Sequence, residues 1–350
     1  MRIDWIMLGA VGLLTTLGVA VQTRLAGTLP GQSVFVSLGI GSLAGLAAAG
    51  LCTGGRAGRA LRAWGPWVAW GGAFALMATL LVFGRRYRGG LYLPGRINPS
   101  ELVKFCLVVF AAGWLSREKK DTPSTRDVLV CCGLVGVISV EIALAGDFGL
   151  LAQLVLTLSA MLFVASWRWG SAAFGVIGLG FAAVAAHPMG HLATRFAVWR
   201  DPLEDATGAG WQTLQGLVAV VSGGVTGTGF GMGEANAVPI VSSDFVYAAL
   251  AEDLGVVGCA LVLLAWGVVG IRGLLAAGRC ATADERGEAL LATGIVASLA
   301  VQVVLNIAGV LNALPMTGIT LPLISHGGSS LAVTLVLCGV LLGVAGQGVN

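Results

Sequence analysis

The chain has 350 residues, of which 57% are apolar and only 11% charged, and its formal net charge is +3. A soluble domain carries about 25% charged residues, so this chain lacks the charge to cover a water-facing surface. The same composition excludes disorder, collagen, a coiled coil and a disulfide-stapled module. A net charge of +3 without a dense Lys/Arg run also excludes nucleic acid as a partner.

What remains is an all-α fold, a polytopic membrane protein, because lipid satisfies no backbone polar group. The mean hydropathy of +0.90 agrees. A β-barrel would need short alternating segments, and the apolar runs here are long and uniform. Taken in chain order, ten spans of about 20 residues are predicted at 5–21, 34–51, 67–83, 101–115, 128–144, 148–166, 170–186, 245–271, 289–313 and 331–348. The first run follows Arg2 but lacks a small-residue cleavage site, so it is read as a span and not a signal peptide. Connections are short except at about 187–244, between the seventh and eighth spans. Long loops are uncommon and usually functional. The whole of 1–350 reads as a single integral membrane domain.

Orientation follows from Lys and Arg. The N-terminal side carries twelve: Arg2, Arg56, Arg59, Arg62, Arg117, Lys119, Lys120, Arg126, Arg168, Arg272, Arg279 and Arg286. The opposite side carries seven: Arg24, Arg85, Arg86, Arg88, Arg96, Arg195 and Arg200. Both termini are therefore expected in the cytoplasm and the long loop outside, against membrane lipid. Any one of the external arginines fits interfacial snorkelling. As a group, with four of them in 85–96, they fit an anionic headgroup such as a phosphate, which arginine matches bidentately. The seven cysteines are scattered, without a C-x-x-C pair, and read as small buried hydrophobes.

Polar residues inside apolar runs carry the next signal. Glu101 and Lys104 lie three apart at the head of the fourth span, on one helix face, where they can pair. Such a pair is either structural or functional, and Pro99 before it suits a helix start. Asp147 reads as a turn residue or cap between spans five and six, and Glu141 as a lone carboxylate reaching the interface. In the long loop, 211–221 reads as an amphipathic helix able to lie in the outer interface, with Gln212 and Gln215 on its polar side. Glycines 223, 224, 227, 229, 231 and 233 then forbid a regular helix. With no preceding strand they are no dinucleotide fingerprint. They let backbone approach backbone or a lipid-borne substrate.

Asp244 ends the loop. Its plainest reading is an N-cap or first-turn acid of the eighth span, yet it is also suitably placed for a general base at the outer face. Glu252 and Asp253, two turns on, read as helix-face pairing. Before the last span, Pro315, Pro322, Gly327 and Gly328 mark a broken or re-entrant segment, tolerated only against protein or water. That segment carries Ser325, His326, Ser329 and Ser330. No G-x-S-x-G elbow accompanies them, so a Ser/His/Asp hydrolase has no template here.

In order, these stretches resemble the SEDS family (shape, elongation, division and sporulation). The matching motifs are N-P-S-E-L-V-K at 98–104, D-F-G at 147–149, R-F at 195–196, D-P at 201–202 and D-x-x-G-x-G-W-Q-x-x-Q at 205–215. They continue with S-G-G-V-x-G-x-G-x-G-x-G at 222–233, S-D-F-V-Y-A-x-x-A-E-D-L-G at 243–255, N-I at 306–307 and L-P-M-T-G-I-x-L-P-L-I-S-H-G-G-S-S at 314–330. The chain departs from the family pattern at Ile240, where Glu usually follows Pro239, and at His326, where Tyr is common.

The resemblance implies ten spans and a peptidoglycan glycosyltransferase that polymerises lipid II. It places the family's essential acid on Asp244 and its acid and base pair on Glu101 and Lys104. The leaving group would be undecaprenyl pyrophosphate, whose growing charge needs preorganised cations. Arg195, Arg200, Arg96 and Lys104 are the candidates, with Arg85, Arg86 and Arg88 as helpers. Gln212, Gln215, Ser325, His326, Ser329 and Ser330 are further candidates for substrate binding. A divalent cation (Mg or Mn) bridging pyrophosphate and carboxylate is compatible with this chemistry, although no metal-ligand spacing is visible and no cofactor is implied. A class B penicillin-binding protein transpeptidase is the implied partner. A lipid-linked precursor flippase and a non-catalytic scaffold of a cell-wall synthase are the alternatives.

Overall fold

The structure is a computed structural model that describes residues 3–26, 32–53, 55–87, 90–93, 99–117, 122–166, 170 and 190–347. Its helices are α1 (Trp5–Ala26), α2 (Gln32–Thr53), α3 (Gly55–Phe83), α4 (Ser100–Leu115), α5 (Thr125–Ala145) and α6 (Phe148–Ser166). They continue as α7 (Gly190–Arg200), α8 (Trp211–Gly223), α9 (Val246–Thr282), α10 (Arg286–Val310) and α11 (Gly328–Gln347). A hairpin of β1 (Arg85–Tyr87) and β2 (Gly90–Tyr92), unforeseen from the sequence, pairs Arg85 with Tyr92.

Seven of the described helices are long and apolar enough to cross a membrane. The expected fourth span is a shorter, 16-residue helix, α4. The expected seventh span lies outside the described residues. Local chemistry sets the ends of α5: Ser124 caps it by accepting from the Asp127 N–H, and Gly146 ends it with a φ of 79°.

The hub is α10, which packs against α4, α6, α9 and α11. Around it, α3 packs on α4 and α2 on α11, and α1 lies along α9. Two ion pairs tie α1 to α9. Asp4, just before α1, meets Arg272 at 2.7 Å, and Arg24 near its far end meets Asp253 at 3.1 Å. The partners are 20 positions apart on one strand of this ladder and 19 on the other. At 1.5 Å per residue that is about 30 Å, the thickness of a bilayer core. The helix-face pairing expected of Glu252 and Asp253 is corrected: Asp253 reaches across to Arg24 of α1, and Glu252 Oε1 accepts from Ser222 Oγ and Glu234 N.

Inside α9 the backbone breaks at Gly255 (φ 64°, ψ −164°). The break frees carbonyls on one side and N–H groups on the other, and the glycine-rich stretch supplies their complements. Thr228 N donates to Glu252 O and Gly229 N to Asp253 O, while Val256 N donates to Gly224 O and Val257 N to Val225 O. A Cβ on Gly227 would stand 2.2 Å from Asp253 O, so only glycine allows this approach. Of the two roles read from the glycines, backbone against backbone is the one the fold uses here. The expected interface helix is present as α8. It buries Thr213, Gly216, Ala219 and Gly223, leaving Val218 and Val221 exposed.

Glu141, expected to reach the interface, instead keeps Oε2 buried, with no hydrogen-bond partner among the described residues. Cys131, Cys259, Cys280 and Cys338 are buried and unbridged.

The two ion pairs should differ in worth. The Arg24 side chain is 6% exposed and Asp253 fully buried, so Arg24→Met strands a buried carboxylate and should cost about 3–5 kcal/mol. Arg272 is 34% exposed, and Asp4 keeps its bond from Met7 N. Asp4 is itself only 5% exposed, so Arg272→Met should cost less than Arg24→Met but still about 1–3 kcal/mol. Thermal unfolding of the purified variants in detergent reads the difference.

Candidate active site

Asp244 is half-buried where the long loop enters α9, and its backbone is fixed from three directions. Ser242 O accepts from His326 N at 2.7 Å and from Gln22 Nε2 at 2.9 Å. Ser243 O accepts from Ser325 Oγ at 2.5 Å, and Asp244 O from Asn306 Nδ2 at 3.0 Å. Three successive carbonyls are thus held by α1, α10 and the non-helical segment before α11. Asp244 is no side-chain cap: Phe245 is the N-cap residue of α9 and makes no capping bond. Its carboxylate is left free for other contacts.

Opposite Asp244 stands Arg195 of α7, half-buried, whose NH1 donates to Thr317 O at 3.2 Å. Between them lies Gly318 (φ +75°); a Cβ built there would be 3.7 Å from Arg195 NH2 and 3.8 Å from Asp244 Oδ2. Burial pushes the Asp244 carboxyl up to about 6, against a hydrogen bond from Ser243 and the Arg195 charge, which both pull it down.

Below this pair is the Glu101–Lys104 couple. Lys104, 1% exposed, donates from Nζ to Glu101 Oε2 at 2.5 Å and to Gln302 Oε1 at 2.5 Å. Asp147 caps α6 by accepting from Leu150 N, and it accepts from Ser100 Oγ, joining the N-P-S-E and D-F-G stretches. Burial raises the Asp147 carboxyl, with Glu101 raising it further and Arg195 lowering it. Acids and bases from four separate motifs therefore share one electrostatic neighbourhood.

Not every candidate joins it. Arg200 lies five residues beyond Arg195, about 140° round the helix, and is exposed. Gln212 Nε2 donates to Pro239 O at 2.9 Å, within the loop. Gln215 is half-buried on α8. Ser325 is engaged with Ser243 O and Leu321 N, and Ser330 with the Thr320 hydroxyl at 2.9 Å. The His326 side chain and Ser329 are exposed, as is Arg85. Arg24, counted with the external arginines, is bound to Asp253 and to Gly233 O. Arg88 and Arg96 lie outside the described residues, as does the Arg86 side chain. Among the described residues no group of three His, Cys, Asp or Glu is arranged to hold a metal.

The sequence reading passed over Gln302, Gln153 and Ser298 and gave Asn306 no role of its own. The signal was available: Ser298, Gln302 and Asn306 recur every four residues in an apolar run, which puts three polar groups on one helix face.

The FtsW/RodA/SpoVE family, described as cell cycle protein, matches residues 3–348. The chain is similar to stage V sporulation protein E of Bacillus subtilis, 37% identical over 255 residues, 71% of this chain and 68% of that one. It is 35% identical over 267 residues to the peptidoglycan glycosyltransferase RodA of Mycobacterium tuberculosis, 71% of this chain but 55% of that one. A solved chain from work on how a peptidoglycan synthase complex coordinates polymerization and crosslinking superposes with a TM-score of 0.80 at 26% identity. That superposition covers 100% of this chain and 99% of the other.

The D-F-G stretch has a steric test. A Cβ on Gly149 would stand 2.8 Å from Thr317 O, the carbonyl that holds Arg195. Gly149→Ala should destabilise by about 1–3 kcal/mol. Gly133→Ala, on α5 with nothing within 4 Å, should be neutral or stabilising. Thermal unfolding of both variants in detergent checks the contrast.

Proposed function

This chain belongs to the FtsW/RodA/SpoVE family of cell cycle proteins, and from that membership we propose that it is a peptidoglycan glycosyltransferase of the bacterial cytoplasmic membrane, polymerising lipid II at the outer face. The observation that carries the reading is the meeting of a raised carboxyl, Asp244, with the Arg195 guanidinium across Gly318. Glycosyl transfer from a lipid pyrophosphate needs those two groups: a base for the attacking hydroxyl and a cation for the leaving oxygen.

In this reading Asp244 accepts the proton of the acceptor sugar hydroxyl as that oxygen bonds to the anomeric carbon of the donor. The bond from that carbon to the pyrophosphate breaks, and the electron pair leaves on a phosphate oxygen beside Arg195. Glu101 orients the acceptor, and Lys104, buried and bonded to it, fixes the Glu101 rotamer. Arg96 and the exposed Arg200 remain proposed ligands of the second phosphate. The exposed His326 side chain and Ser329, with Gln215, are the proposed further contacts for substrate, whereas Gln212, Ser325 and Ser330 are spent on internal bonds. A divalent cation would assist by neutralising pyrophosphate. The partner of this reading is a class B penicillin-binding protein, which cross-links the strands; the solved relative from a peptidoglycan synthase complex supports it.

Purified chain given lipid II, with and without a partner transpeptidase, should make glycan, and Asp244→Asn should lower the rate by at least about 100-fold while folding normally. Undiminished polymer from Asp244→Asn would remove Asp244 as the base. Translocation of lipid II across vesicles without polymer would point to a flippase, and growth rescued by every acidic variant to a scaffold.

The pH dependence has a definite sign. A base works only when ionised, so with a pKa of about 6 kcat/KM should be level above that pH. Below it, the rate should fall roughly tenfold per pH unit. A rate that is flat from pH 7 down to pH 4.5 would contradict the assignment.

A further inference from the structure

We propose that Gln302 of α10 is a positioning residue for the Asp244–Arg195 site, holding residues 317–320 at the depth that keeps the two groups facing each other; the proposal rests on the glycosyltransferase reading above.

Gln302 is fully buried, and both ends of its amide are engaged. Oε1 accepts from Lys104 Nζ at 2.5 Å and from Gln153 Nε2 at 3.2 Å. Nε2 donates to Thr320 O at 3.0 Å. Chemistry fixes this orientation, because a lysine ammonium only donates. The oxygen must face Lys104, and the NH2 must then face Thr320. One turn along α10, Asn306 Nδ2 donates to Ile319 O at 2.7 Å and to Asp244 O at 3.0 Å.

The segment 317–320 is therefore held by its carbonyls along one edge of the site. Thr317 O takes Arg195, Ile319 O takes Asn306 and Thr320 O takes Gln302. Gly318, between them, is the residue against which Asp244 and Arg195 both stand. The segment has no helix or strand of its own, so these side-chain bonds are what set its depth. Gln302 differs from Asn306 in also reading the Glu101–Lys104 couple. Among the described residues it is the side chain that joins that couple to the segment facing Asp244.

The test compares wild type, Gln302→Glu and Thr293→Val in the purified full-length chain, assayed with lipid II between pH 5 and 8, beside thermal unfolding. Gln302→Glu keeps an acceptor for Lys104 but cannot donate to Thr320 O. Its kcat should fall about 10- to 100-fold, with KM changed by less than about twofold. Its acid limb should move to higher pH, because an Arg195 that recedes no longer lowers the Asp244 carboxyl. Thr293 is buried on the same helix, and its hydroxyl donates to Ala289 O of its own turn; Thr293→Val should keep the wild-type kcat and limb. Should Gln302→Glu fail to fold, Gln302→Asn retains both amide functions one methylene short and should show the same kcat loss and limb shift. An active wild type with wild-type kcat and acid limb in the Gln302 variant overturns the proposal alone. A wild type that makes no polymer overturns the functional reading, and this proposal with it.

Discussion

A polar side chain in the hydrocarbon core of a membrane must find its partner inside the protein, and that requirement on one face of α10 organises the rest of this structure. Ser298, Gln302 and Asn306 follow one another at successive turns and are all buried. Their partners come from α6 (Gln153), α4 (Lys104), the segment 317–320 and Asp244, two residues before α9. Apolar packing alone is non-directional and would tolerate sliding of one helix on another. Hydrogen bonds with fixed donors and acceptors do not, so they set the depth of each neighbour, and with it the depth of Asp244.

A second constraint acts on α9. The helix that begins beside Asp244 is broken ten residues later at Gly255, and a break in a membrane helix is tolerated only where its freed backbone groups are paired again. The glycine-rich stretch after α8 does that pairing. The Arg24–Asp253 pair, buried beside the break, then ties the short first part of α9 to α1. Asp244 is thus held from below by Asn306 and from behind by a half-helix clamped at its far end. This is how a residue closing a loop of nearly sixty residues is kept in one place.

Much of this could be seen in the sequence, and the boundary between what could and what could not is physical. Helices were legible because lipid forces long apolar runs, and Asp147 as a cap was legible because capping is local. Glu101 with Lys104 followed from helical spacing. The partner of Lys104, by contrast, lies 198 positions away, and nothing local announces it. Arg24 shows the same limit: its charge and side of the membrane were readable, but not that Asp253 occupies it. Ser325 and Gln212 were chosen for their chemistry, yet loop closure uses both, and which polar group serves backbone and which faces a ligand is a tertiary matter. The hairpin at 85–92 was missed because three-residue strands carry no periodicity.

The cations around Asp244 are unequal, and that inequality bears on how the site would act. Lys104 is enclosed and already shared between Glu101 and Gln302, so its charge is largely answered from within. Arg195 has one NH2 group turned toward Gly318 and Asp244. Glu101 adds negative charge nearby, raising the Asp147 carboxyl beyond what burial, the main cause, already does. A pyrophosphate entering this neighbourhood would bring more, and a like charge raises a carboxyl further. An Asp244 already near 6 would then be protonated at neutral pH, just when a base is needed. In the proposed reaction, arginines on the substrate side would therefore serve twice: they would hold the pyrophosphate and, by cancelling its charge, keep Asp244 ionised. Binding of the donor and readiness of the base are on this argument a single electrostatic condition, met only when the leaving group is fully countered.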